Sequence, residues 1–317
     1  MRKVIFFIPN DDSLFSLVGS AEIFVEAREL GLEYRISYCS INPNLAGHTG
    51  LHLSELESYK DVKLKRGDYF YVCGRFKGST YSKAELIQFF SWLREQHEKE
   101  VIICSTCTGA FVLAEAGLLN HRKCTTHWKY VEELQKSFPK AQVVSDQLYV
   151  RDNNIYSTAG SAAGIDLALS IVEENHGPLV AHQIARELVL YIRRDGSSSQ
   201  KSIYLDYRNH IHPSIHHVQD YLVSNIDKKV VLDQLADLAN MSVRNLTRTF
   251  RKSTGVSIKE YTNELRIDRA SKLIYNKNLS LDHISKECGF EEATQFRRLW
   301  KNKFGTLPSV AKFQTTM

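Results

Sequence analysis

No apolar run in the chain is long enough to span a membrane or to form the core of an export signal. The longest, such as Val4-Ile-Phe-Phe-Ile8, are strand-sized. Cysteine is sparse: six residues at scattered spacings, with no second Cys-x-x-Cys pair to complete a zinc ligand set. That usage speaks for reduced thiols in a cytoplasmic protein rather than a disulfide scaffold. Disorder is excluded by 43% apolar and 24% charged residues. No residue set calls for a metal or a cofactor. At 317 residues the chain is about twice the usual single-domain size, so two domains are expected.

Charge divides the chain unevenly. Residues 1–212 carry 24 Lys and Arg against 25 Asp and Glu, whereas residues 213–317 carry 17 against 11. A basic C-terminal third on a near-neutral body suits a nucleic-acid module joined to something else. On charge alone, a solvated basic surface is the better explanation.

The N-terminal part alternates short apolar runs with helical patterns. Residues 4–8, 34–41, 69–73 and 101–105 read as strands, the first and last too continuously apolar to have a wet face. Helices are expected over 17–29, 83–98, 109–116, 162–174 and 179–194. A strand pair is expected at 142–144 and 148–150, with a further strand at 154–157. Strand–helix alternation with buried strands means a largely parallel α/β sheet. Asp195-Gly-Ser-Ser-Ser-Gln200 then reads as the onset of a flexible linker, and from about residue 214 only helical periodicity remains. The expected domains are 1–195, a linker over 196–213, and 214–317.

The helical part contains a repeat. Leu232, Leu235, Ala236 and Ala239 recur 49 residues later as Leu281, Ile284, Ser285 and Cys288. A short turn follows each, then a second helix in which Leu246 and Phe250 match Phe296 and Trp300 at an offset of 50; Gly255 and Gly305 close the units. Helix, tight turn, helix is the geometry that lays its second helix in the DNA major groove. The non-core face of that helix carries Arg244, Asn245, Thr247, Arg248 and Arg251 in the first unit, and Thr294, Arg297, Arg298 and Lys301 in the second. Arginine bonds guanine bidentately, asparagine reads adenine, and excess cations neutralise phosphates. One such unit is more readily a helical bundle with a charged face; two at matching spacing favour DNA.

Over roughly 214–313 the chain resembles the AraC/XylS family of transcription regulators. The resemblance rests on Leu232-Asp-Gln-Leu-Ala236, Arg266-Ile-Asp-Arg-Ala270, Ile284-Ser-Lys-Glu-Cys-Gly-Phe290 and Phe304-Gly-Thr-Leu-Pro308. It implies an all-α domain whose two helix-turn-helix units bind successive major grooves. Arg244, Thr247, Arg248, Thr294, Arg297 and Arg298 would then face bases. The first unit departs from the pattern in lacking the proline that often follows Gly255.

Within the α/β part, Cys107 sits in Ser105-Thr-Cys-Thr-Gly109, between a buried-type strand and a helix. Such a turn exposes its side chain at the carboxyl end of the sheet, where α/β proteins place ligands. The start of the helix favours thiolate and can hold an anion. A buried cysteine in an ordinary turn is the plain alternative. Cys104 is expected to face the core, which makes a Cys104–Cys107 redox pair the weaker reading. Four histidines, His210, His212, His216 and His217, precede or begin a helix, where solvated or capping roles are commoner than metal binding.

Residues 1–195 resemble the PfpI-type branch of the class I glutamine amidotransferase-like superfamily, most nearly the sensor domains of GlxA-type regulators. The carrying segments are 107–119, Thr125-Thr-His-Trp128 and 157–166. The resemblance implies a flavodoxin-like α/β fold with a small-molecule pocket, whose candidate lining is Ser16, Gly74, Cys107, Thr108, His127, Trp128 and Thr158. Ser16 stands where catalytic relatives place an acid, and Thr108 where others place a histidine. Asp11 or Asp12 from the preceding loop, or His127, would be the substitutes. An amino acid or a quaternary amine is the effector the resemblance suggests, the latter suiting an aromatic wall at Trp128. The whole reads as an effector-controlled transcription regulator, an activator by resemblance, working as a homodimer with promoter DNA and RNA polymerase. The alternatives are a cysteine-dependent hydrolase or hydratase with a DNA-binding tail, and a redox sensor through Cys107.

Overall fold

Strand β1 (Arg2–Phe7) lies near the middle of a seven-stranded sheet, and its apolar part, Val4–Phe7, is buried on both faces, as that unbroken hydrophobic run requires. The structure, a computed structural model, describes residues 1–9, 14–46, 50–74, 81–190, 194–196, 198–200, 202–276 and 278–313. It divides into two units, Met1–Gln200 and Lys201–Met317.

In the first unit β1 leads to α1 (Leu14–Glu29) and β2 (Tyr34–Ser40), then to the two-residue strands β3 (Leu45–Ala46), β4 (His52–Leu53) and β5 (Glu57–Ser58). Next come β6 (Tyr69–Cys73), α2 (Lys83–Glu98), β7 (Ile102–Thr106) and α3 (Gly109–Glu115). After β8 (Lys123–Cys124), α4 (Val131–Ser137), β9 (Gln142–Val143), β10 (Tyr149–Asp152) and β11 (Ile155–Thr158), α5 (Ser161–His176) and α6 (Pro178–Glu187) complete the unit. The sheet order is β10-β11-β7-β6-β1-β2-β5, parallel except for the β10–β11 pair.

Strand alternation separates two cores. Val4, Phe6, Tyr71 and Cys104 pack with Phe24 of α1, Leu167 and Ile171 of α5, and Ile184 of α6. Ile5, Phe7, Phe70, Val72 and Ile103 face the opposite way, against Phe89 and Leu93 of α2 and Leu113 of α3. The chain runs outward from β1 in both directions, to β2 on one side and β6 on the other. This is a topological switch point, and the carboxyl ends of β6 and β7 open beside it.

Three sequence expectations are corrected. The segments at 142–143 and 149–152 do not pair: β9 pairs with β8, and β10 with β11. The helix expected over 179–194 ends at Glu187, because Leu190 N–H bonds Ala185 O and Val189 N–H bonds Arg186 O, with Val189 in the left-handed region at φ 52°. That is a Schellman stop built on a valine where glycine is usual. The stretch 196–213, expected as a linker, is divided between the units. Gly196 and Ser198 carbonyls both accept from Leu148 N–H, and Gln200 Nε2 reaches Thr125 Oγ1, Thr126 O and Gln147 O at 3.0–3.1 Å.

The second unit is helical among the described residues: α7 (Ile203–Asp206), α8 (Pro213–Ser224), α9 (Leu232–Leu238), α10 (Val243–Thr254), α11 (Ile258–Leu273), α12 (Leu281–Glu287), α13 (Ala293–Phe304) and α14 (Pro308–Phe313). The repeat is real in space. Leu235, Leu246 and Phe250 form one core with Tyr261 and Leu265, while Ile284, Phe296 and Trp300 form another with Ile267 and Ala270. Successive turns of α11 thus serve both units. Asn240 and Gly289 supply the left-handed residue of each turn (φ 53° and 77°), and Gly255 and Gly305 close α10 and α13 in the same region. Leu232, read as a core position, is instead 39% exposed.

Candidate nucleic-acid interface and cysteine turn

Serine oxygens start three of the helices that frame the helix-turn-helix units. Ser242 accepts from Asn245 N–H at the start of α10, Ser257 and Glu260 form a capping box on α11, and Ser280 caps α12. With Leu246 and Phe250 buried, α10 presents Arg244, Thr247, Arg248 and Arg251 to solvent. With Phe296 and Trp300 buried, α13 likewise presents Thr294, Arg297, Arg298 and Lys301. Asn245 is half-buried, and its Oδ1 accepts from Arg248 Nη2 (3.1 Å) and Thr249 Oγ1 (3.4 Å). Arg297 lies 3.9 Å from Asp282, and Thr294 Oγ1 donates to Glu292. Arg244, Arg298 and Lys301 make no side-chain hydrogen bond or ion pair among the described residues.

Beside Arg248, a cavity of about 600 Å³ is lined by His212, Arg248, Thr249, Lys252 and Ser253. The sequence reading missed Lys252, although it stands four residues after Arg248 and therefore on the same helix face.

In the α/β unit, Cys107 follows β7 with φ 53°, an uncommon conformation for a residue other than glycine. Its N–H donates to Thr158 O at 3.1 Å, and its carbonyl accepts from Thr126 Oγ1 at 2.8 Å. Thr125 N–H in turn donates to Ser157 Oγ at 2.9 Å. The Thr125–Thr126 segment therefore clamps the turn against β11, a role the sequence reading did not give it. Gly109 permits the close approach to β6: a Cβ there would stand 2.3 Å from Val72 O.

The candidate pocket residues differ in exposure. Ser16, Gly74, Thr108 and Thr158 are buried, Cys107 and His127 are half-buried, and Trp128 is 55% exposed, so it is not a core aromatic. His127 Nδ1 accepts from Lys129 N–H, which leaves the neutral ring's proton on Nε2. Burial, with help from Lys129, holds its pKa below the usual imidazole value. The ring packs beside Trp128 and Tyr130, at 5.4 and 5.8 Å between centroids. The hydroxyls of Ser105, Thr106 and Thr158 are buried at the strand ends with no hydrogen-bond partner among the described residues. Cys104 is fully buried against Tyr71, and burial pushes its thiol pKa far up, as expected of a core cysteine. Asp11 and Asp12 lie outside the described residues.

Residues 2–174 match the DJ-1/PfpI family, and residues 235–312 match a helix-turn-helix domain. The HTH-type transcriptional regulator CdhR of Pseudomonas aeruginosa is 30% identical over 246 residues, covering 78% of this chain and 72% of that protein. An isonitrile hydratase of Pseudomonas putida is 37% identical over 140 residues, 44% of this chain and 58% of the enzyme. Among solved structures, an AraC family transcriptional regulator from Pseudomonas putida superposes with a TM-score of 0.51 at 20% identity, over 59% of this chain and 100% of its own. That last likeness concerns the fold alone.

Proposed function

The chain belongs to the DJ-1/PfpI family, carries an AraC-type helix-turn-helix domain and is a DNA-binding transcription regulator; from that premise we propose that it is switched by a small effector bound beside Cys107. Its α10 and α13 enter the DNA groove, with Arg244, Thr247, Arg248, Thr294, Arg297 and Arg298 facing bases and Asn245, Arg251 and Lys301 completing the DNA-binding set. The observation that carries the DNA assignment of these residues is the repeat in space, two basic helix faces on one framework at a 50-residue offset.

Replacing Arg248 or Arg298 by alanine is expected to cost roughly 1–3 kcal/mol of DNA affinity and to relax one base position, as for a lost bidentate contact. Selection from a random-sequence pool with each variant measures this. Equal affinity and unchanged preference would overturn the placement of the recognition helices.

What supports a sensor over an enzyme is the polar but uncharged character of the described site, with Ser16 at the acid position and a neutral His127. An effector that touched Thr126 would also disturb Gln200, the last residue of the α/β unit, which bonds Thr126 O. A hydrogen bond thus links this segment to the residue from which the chain continues into the helical unit, and an effector acts along it only by binding one state better than the other. Phe15 and Val18 expose apolar side chains three residues apart on α1, in keeping with a homodimer through this domain. Promoter activation with RNA polymerase in the cytoplasm completes the reading; no helix among the described residues is long and apolar enough to cross a membrane.

A thermal-shift panel on the full chain tests the effector claim, with amino acids, quaternary amines and small carboxylates at millimolar concentration. A ligand at 100 times its dissociation constant adds about 2.7 kcal/mol of stability. For the α/β unit that corresponds to a midpoint rise of roughly 5–10 °C. Hits confined to one chemical class are expected. An empty panel would overturn the ligand reading in favour of Cys107 as a redox sensor, which mass spectrometry after mild peroxide treatment would register.

A further inference from the structure

The cavity at the side of α10 is lined by Arg248 and Lys252, one helical turn apart, by the hydroxyl residues Thr249 and Ser253, and by His212, which opens α8. Among the described residues no carboxylate lines it. Cations and hydroxyls alone around one concave space make a site for an anion rich in oxygen acceptors.

The helix behind it adds to that field. The twelve-residue α8 begins at Pro213, and the His212 side chain makes no capping bond to the first turn. The helix start carries the positive end of its dipole, although Pro213 has no N–H and the N–H groups of Ile215 and His216 already bond His212 O. Arg248 is fixed on one wall by its bond to Asn245. Lys252 is exposed and makes no side-chain hydrogen bond or ion pair among the described residues, so its ammonium needs no ion pair broken before it meets a ligand.

We propose that this cavity seats one phosphate of the DNA backbone, held by Lys252 and His212, while Arg248, held at the cavity wall by Asn245, faces the groove. The proposal rests on the reading of α10 as a recognition helix. A helix lying in the major groove contacts bases from its N-terminal turns, and its later turns rise toward the strand at the groove's edge. Lys252 lies in the second half of α10, on the face that also carries Arg244 and Arg248. A backbone phosphate there would fix how deeply α10 enters the groove without reading sequence.

The test uses the full chain with two fluorescent duplexes: one selected by the protein from a random pool, and one of unselected sequence. Lys252→Gln and His212→Ala are each expected to weaken binding to both duplexes by the same factor, roughly three- to tenfold at low salt. Lys252→Gln should also make the dependence of log K on log salt shallower by about 0.9, the signature of one lost phosphate contact. Lys252→Arg should restore the slope, which a merely misfolded variant would not allow. An unchanged slope, or a loss confined to the selected duplex, would overturn the proposal.

A parallel arm adds 10 mM inorganic phosphate, against chloride at equal ionic strength, to the protein without DNA. Stabilisation that Lys252→Gln abolishes, together with an unchanged salt slope, would assign the cavity to a free anion and overturn the DNA source. If Arg248→Ala and Arg298→Ala relax base positions while Lys252→Gln does nothing, this proposal alone fails. If none of the three changes binding, the recognition-helix reading fails with it.

Discussion

Replacing Arg266 by alanine is expected to loosen the helical unit by about 3 kcal/mol and to weaken DNA binding without relaxing any single base position. Arg266 points inward from α11 and is only 9% exposed. Its Nε donates to Ile226 O at 3.0 Å and its Nη2 to Lys228 O at 2.7 Å, in the connection between α8 and α9. Its guanidinium also lies 6.0 Å from the Phe290 ring centroid. Gly289, beside that ring, approaches so closely that a Cβ there would stand 2.4 Å from Ile226 O and 3.0 Å from Arg266 Nε. One side chain therefore joins the entrance of the first helix-turn-helix unit to the turn of the second. Burial lowers the pKa of the guanidinium from its usual value, which is the electrostatic cost the two carbonyls offset. Alanine would leave both carbonyls without their donor and open a space under Phe290. Hydrogen exchange in the full chain should then speed up on the order of a hundredfold in peptides spanning 226–232 and 286–292. Arg266→Lys should recover only part of the protection, since an ammonium cannot reproduce the planar fork. Exchange within threefold of wild type in the alanine variant would mean that water replaces these bonds at little cost, and that the two units are held together by α11 alone.

Arg266 also marks the limit of what could be read beforehand. It stood in one of the segments that carry the AraC/XylS resemblance, and its charge suggested nothing but another basic group. Its partners are backbone carbonyls some 40 residues away, and no side-chain pattern encodes those. What periodicity does encode was legible: the buried strands, α2 from Lys83 to Glu98, and the second helix of each helix-turn-helix unit with its core positions. The misreadings share a cause. Val189 ends a helix in a conformation where glycine is the usual signal, and backbone bonds alone hold it there. The Gly-Ser-rich stretch before Gln200 has the composition of a linker, yet it is tied to Leu148, Asp146 and Thr125. The β8–β9 pairing is set by where the chain returns, not by its alternation. Around Cys107 the turn itself was legible, from a buried-type strand running into a helix. The clamp by Thr126 was not, because threonine in an irregular segment gives no periodic signal.

Gly109→Ala is expected to be the most damaging single-methyl change in the α/β unit, at about 3 kcal/mol or more. The added Cβ would stand 2.3 Å from Val72 O, where real contacts do not occur, and a tight 3.1 Å from Gly74 O. The nearer neighbour cannot give way. Val72 belongs to β6, which is paired on both sides, opposite Phe7 of β1 and Ser105 of β7. Relief would have to come from the Cys107 turn, which is held from two directions by Thr158 O and Thr126 Oγ1. Gly164 on α5 makes the comparison sharp. Its added Cβ would stand 2.4 Å from Ser20 Oγ, the end of a side chain that can rotate away at the loss of its bond to Ser16 O. Gly164→Ala should therefore cost only about 1 kcal/mol. Calorimetry of the full chain would place the α/β transition roughly 6–12 °C lower for Gly109→Ala and a few degrees lower for Gly164→Ala. Equal shifts would mean that the carboxyl end of β6 yields, and that the elbow is softer than its contacts imply. If the order holds, the cysteine is positioned by backbone packing against β6 rather than by its own side-chain partners. Substitutions at Cys107 itself should then leave the shape of the pocket intact, so that a change in effector response in those variants reports on the thiol.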